Sequence, residues 1–300
     1  MKKDSSYKER SPFKKRVFDI FCFLLVALII SVTSLYFTNK DFATELRQIR
    51  QPKPNLFYIG IDVSQTIKPD ILADFKDALI SRLKNFIGEK KVSYHISIFG
   101  TPGCGKDAIT DIISTRSPED PLSFSWRVKR RIKGISIAGK AKGDGDGDET
   151  PLTTPLFYFL EKILTERIGG RVIILSDLVN DDRGCQKQYT FPLEAIIKFG
   201  MNKEGQIIFL YPTPYLAGRY NTLEIRERLL KKQQDFIFNM RRLRDKGKMR
   251  VFFYHIPDDP QKSSNFLRSK LEDSIPATLF EIIWERVSKM IDTIIGAVRG

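Results

Sequence analysis

Cysteine and histidine are scarce. Three cysteines (Cys22, Cys104, Cys185) and two histidines (His95, His255) are spread over 300 residues. No two cysteines stand in a C-x-x-C pair, which argues against a zinc site, because such sites cluster four Cys and His ligands. Cys22 falls in an apolar stretch. Cys104 and Cys185 are either two free thiols or, in an oxidising compartment, a pair. Charge is absent from residues 20–37 (IFCFLLVALIISVTSLYF). As a helix, at about 1.5 Å per residue, that stretch roughly spans a bilayer core. The small-residue cleavage pattern of a secretory leader is also missing, since Leu-Tyr-Phe-Thr-Asn-Lys follows Ser34.

Positive charge is abundant. Fifty Lys and Arg against 36 Asp and Glu leave a formal charge of +14. Lys2, Lys3, Lys8, Arg10, Lys14, Lys15 and Arg16 precede the apolar stretch. The positive-inside bias then predicts a cytoplasmic N-terminus and an exported body. The expected organisation is a basic N-terminus over 1–16, a transmembrane anchor over 17–38, a stalk over 39–54, a main domain over 55–260 with an insertion near 115–148, and a helical extension over 261–300. Cations also crowd residues 223–248, which read as a long solvated helix. No recognisable nucleic-acid module accompanies them, so no nucleic-acid partner is expected.

From residue 55 onward apolar strands and amphipathic helices alternate. This predicts an α/β fold, doubly wound, with a mostly parallel central sheet flanked by helices. Residues 55–70 (NLFYIGIDVSQTIKPD) set the frame: a strand dense in Ile, Tyr and Phe runs into Asp62, Ser64 and Thr66. Open α/β sheets place ligands at the carboxyl ends of their strands. A carboxylate and two hydroxyls are hard oxygen donors, suited to Mg²⁺ or Mn²⁺. A second apolar strand ends in Ser176-Asp177, and Thr150-Pro-Leu-Thr-Thr-Pro-Leu156 opens a helix before it.

D-x-S-x-T after a buried strand, a threonine before a helix, and S-D after a later strand together resemble the metal-ion-dependent adhesion site of von Willebrand factor A domains, over about residues 55–256. The resemblance implies a metal site of Asp62, Ser64, Thr66, Thr150 and Asp177, with Thr154 as the shifted alternative to Thr150. Its cofactor would be Mg²⁺, or else Mn²⁺ or Ca²⁺. It implies a protein partner whose Asp or Glu carboxylate completes the metal shell, and binding without turnover. Leu178 stands where that family has Gly, and Asp148-Glu149 where it has Gly-Gly.

Two other readings stay open. Residues 100–107 (GTPGCGKD) follow a strand and match a phosphate-binding loop through Gly100, Gly105 and Lys106, apart from Asp107 at the Ser/Thr position. The segment after that loop, AITDIIST, is then expected to be helical. Residues 122–128 read as an edge strand. The third reading is a sheet of the same family without its metal. No nucleophile–base pair argues for hydrolysis, and the chain is not expected to be an enzyme.

Overall fold

The computed structural model describes residues 55–138, 154–166, 170–182, 185–201, 205–216 and 222–275. The expected anchor, the stalk, Thr150, the run of Gly and Asp at 143–148 and the end of the chain lie outside the described residues. Among those described, no helix is long and apolar enough to cross a membrane.

The architecture is mixed α/β around a six-stranded sheet in the order β3-β2-β1-β4-β5-β6. The strands are β1 (Asn55–Asp62), β2 (Val92–Phe99), β3 (Ile109–Arg116), β4 (Arg171–Leu175), β5 (Gln206–Tyr211) and β6 (Val251–His255). All neighbours pair in parallel except β2 and β3. The central strands are apolar at consecutive positions because both sheet faces are covered. Phe57, Ile59 and Ile61 of β1 pack on one side, with α1 (Pro69–Lys84) and later helices. Tyr58 faces the other side, with Val172, Ile174, Phe209 and α4 (Leu156–Glu166). This is the two-residue alternation of a strand between two layers.

Two local expectations are corrected. AITDIIST is not helical: it is β3, an edge strand antiparallel to β2. Ile109, Thr110, Ile112, Ile113 and Thr115 are β-branched and favour the pleated backbone. Conversely, residues 122–128 do not form a strand. They belong to a helical rod made of α2 (Pro121–Phe124), a wide π turn (Ser125–Lys129) and α3 (Arg130–Lys133). Asp120 caps it by accepting from Ser123 N at 2.8 Å, and Pro121 occupies the first turn. Phe124, Val128 and Ile132, four residues apart, bury one stripe of the rod in the core.

The remaining helices are α5 (Leu193–Gly200), α6 (Leu223–Asp245) and α7 (Pro260–Ser274). On α6, Leu229, Phe236, Met240 and Leu243 face inward, and the cations lie on the outer side as read from the sequence.

Candidate functional site at the carboxyl edge of the sheet

Parallel pairing brings the carboxyl ends of β1, β2 and β4 together, with Asp62 beside Phe99 and Ile61 beside Leu175. Asp62 therefore closes β1 at the edge where the loops after β2 and β4 also emerge. Its carboxylate is fully buried. Ser64 N donates to Oδ1 at 2.9 Å, and the Ser176 hydroxyl donates to Oδ2 at 2.8 Å. Ser64 and Thr66 join hydroxyl to hydroxyl at 2.9 Å. Gly100 approaches so closely that a Cβ there would stand 3.0 Å from both Asp62 Oδ1 and Ser64 N, and its φ is +86°. Gly100 is thus needed for close packing and a left-handed backbone.

Asp177 is also fully buried. Val179 N donates to its Oδ1 at 3.0 Å, while Oδ2 has no hydrogen-bond partner among the described residues. Burial pushes the Asp62 carboxyl up to about 6, against the hydrogen bonds from Ser64 and Ser176. Burial, followed by the nearby Asp62 charge, pushes Asp177 up to about 7. Leu178 has φ +64°, a positive value at a non-glycine residue. Its N–H donates to Ser176 Oγ at 3.0 Å, which holds the turn.

Of the five residues expected at a metal, Asp62, Ser64, Thr66 and Asp177 gather here, and Thr150 lies outside the described residues. Thr154, the shifted alternative, is present: its backbone bridges Asp181 in both directions, at 2.7 and 3.0 Å. The sequence reading missed two contributors, Ser176 and Gln233. Ser176 ties β4 to β1. Gln233 Nε2 donates to the carbonyls of Asp177 at 2.7 Å and Pro212 at 3.0 Å. Asp181 forms part of the rim. Gln233 had a signal, as a polar residue on the buried stripe of α6.

Above these residues lies a crevice of about 120 Å³, lined by Ser64, Gln65, Thr66, Thr154, Asp181 and Leu229, with Gly100 and Val179 at its wall. It is braced from the side. Cys104, in the loop after β2, and Cys185, beyond β4, form a disulfide with Cα atoms 5.7 Å apart.

The phosphate-loop reading is corrected by this geometry. Residues Gly105–Ala108 form a single 3₁₀ turn that leads into β3. A phosphate loop needs a helix N-terminus whose free N–H groups face the anion. Gly100 is packed against Asp62, and a Cβ at Gly105 would meet the Tyr189 hydroxyl at 2.8 Å. Lys106 is exposed.

No family model matches the sequence. No curated protein matches it. Among solved structures, the pilus adhesin SpaC of Lactobacillus rhamnosus GG, in its open conformation, aligns with a TM-score of 0.44 and 12% identity, over 74% of this chain and 30% of that one. A second form of that adhesin aligns at 0.45 and 12%, over 75% and 31%. The PilB minor pilin of Streptococcus sanguinis aligns at 0.38 and 9%, over 75% and 63%. The chain spans less than two thirds of the length of each.

The expectation of a von Willebrand factor A module that binds its partner through Mg²⁺ is corrected: among the described residues, no group of three or more His, Cys, Asp or Glu gathers to hold a metal ion.

Proposed function

We propose that this chain is an exported, disulfide-braced surface module that binds a protein partner in the crevice at the carboxyl edge of its sheet, without catalysing a reaction. The observation that carries the reading is the crevice itself. Its walls come from the loop after β1, the loop after β2, the entry to α4 and the loop after β4, which are far apart in the sequence. The Cys104–Cys185 bond supports export, since disulfides persist in oxidising compartments.

The crevice holds about 120 Å³. That is room for one side chain of a partner and too small for a typical cofactor or drug-sized ligand, whose sites run to roughly 300 Å³ or more. Ser64, Thr66 and Gln65 offer hydroxyl and amide groups that both donate and accept. A partner loop that inserts one short polar side chain matches this lining.

Selection of displayed random peptides on the full chain tests the reading. Peptides that bind should compete with one another and lose at least tenfold in affinity for Gln65→Trp, which fills the mouth of the crevice. Gln65 is exposed, so this change leaves the core alone. Peptides that bind Gln65→Trp as tightly as the parent would place the binding surface elsewhere and overturn the proposal.

A further inference from the structure

The helical rod over residues 121–133 has an outer face that the crevice does not use. Its inner stripe of Phe124, Val128 and Ile132 is buried. On the outside, Leu122 is 70% exposed and Trp126 is 61% exposed, one helical turn apart. A soluble surface gains nothing from displaying an indole and a leucine side by side on a rigid helix. Around them stand Arg127, Lys129, Arg130 and Lys133, all exposed. Arg130 lies over the Trp126 ring, with Cζ 5.1 Å from its centroid. Arg131 is turned aside, donating to the Ile112 carbonyl of β3 at 3.0 Å. Glu119 and Asp120 are the acids at the start of the rod, and the Asp120 carboxylate is engaged by Ser123 through both N–H and hydroxyl.

From this face we infer a second binding surface: the rod over residues 121–133 lies flat on an anionic lipid surface. Leu122 and Trp126 would enter the headgroup boundary, and Arg127, Lys129, Arg130 and Lys133 would meet the lipid phosphates. The chemistry is that of an interfacial amphipathic helix. An indole has an apolar body and one N–H, the combination favoured where apolar and wet regions meet. The long stems of Lys and Arg lie along apolar surface while their charges reach outward. Ser125 adds the one outward hydroxyl on the π turn, and residues 121–133 contain no acid that would repel lipid phosphate. The expected attraction weakens with salt, because the charges are exposed.

The test uses the full chain with Trp284→Phe, leaving Trp126 as the single tryptophan. The apolar stretch 20–37 of the same chain can itself enter a bilayer, so the readout is Trp126 and not binding of the chain. The chain is reconstituted into phosphatidylcholine vesicles with or without phosphatidylglycerol, each containing brominated lipid. The proposal expects Trp126 emission to be quenched at least twofold more with phosphatidylglycerol. The difference should vanish in about 0.5 M salt and in Lys129→Gln/Arg130→Gln/Lys133→Gln. These positions are exposed, so the triple variant should keep the parent's melting temperature. No quenching, or quenching equal in the two vesicle types, would overturn the proposal and leave a protein partner as the occupant of this face.

Discussion

Ser176 and Asp62 sit at the ends of neighbouring parallel strands, and the Ser176 hydroxyl donates to Asp62 Oδ2 at 2.8 Å in a fully buried position. This bond ties β4 to β1 where the sheet opens into the crevice. Ser176→Ala leaves one oxygen of a buried carboxylate without that donor. The expected loss is about 1–3 kcal/mol of stability, read from the urea midpoint at unchanged slope. A loss below about 0.3 kcal/mol would mean that the bond does not restrain the edge.

The buried carboxyl pair makes stability depend on pH. Asp62 and Asp177 are raised from 3.8 to about 6 and about 7. Between those values the folded chain keeps protons that the unfolded chain has released. Stability is therefore greatest at the acid end of this window and falls as pH rises through it, by at least about 1 kcal/mol. Asp111 is shifted the other way: burial raises it, but the hydrogen bonds from Ser97 and His95 outweigh burial. Its contribution is lost only below about 3.8, outside the window. Melts at pH 5 and pH 8 in EDTA, so that protons alone act on the pair, check the sign. Asp62→Asn should flatten the dependence.

Cys104 and Cys185 close a loop across 81 residues. Removing both as Cys104→Ala/Cys185→Ala is expected to cost about 2–5 kcal/mol, largely by freeing the unfolded chain. Thiol titration of the denatured, unreduced chain should find one reactive group, Cys22, and three after reduction. Three before reduction would contradict the bond and with it the argument for export.

Gly60 lies under the Phe159 ring of α4, where a Cβ would collide with Cε1 and Cζ. That ring stacks on Phe99 with centroids 4.3 Å apart. Gly60→Ala should force both rings to move and cost about 1–3 kcal/mol in a chemical melt.

The loop holding Lys106 is not built for phosphate. Adding ATP with Mg²⁺ should leave the melting temperature of the full chain unchanged, and Lys106→Ala should behave as the parent does. A rise of several degrees, lost in Lys106→Ala, would restore the nucleotide reading by mass action.

Much of the frame was legible in the sequence. The apolar run ending in Asp62 and the run ending in Ser176-Asp177 were both read as buried strands. Periodicity suffices where an element is covered on both faces or carries one apolar stripe. It failed at the edge of the sheet. The Gly-rich loop at 100–106 drew its neighbour toward a helix, although β-branched residues fill β3. The rod at 121–133 was obscured because its three core positions become a stripe only once the π turn is included. At the site, residue types pointed to hard-oxygen chemistry. What the residue types did not show is the hydrogen bond from Ser176, at the end of another strand, to Asp62. Cys104 and Cys185 give no spacing signal either, since only the strand order brings their loops together.

The most direct measurement of the central claim is hydrogen–deuterium exchange of the full chain with and without a peptide selected to bind it. The account predicts added protection at residues 64–66, at Gly100 and at residues 179–181, the walls of the crevice. It predicts none on the outer face of α6. Protection confined to α6 or to β6, with the crevice loops exchanging as before, would contradict it.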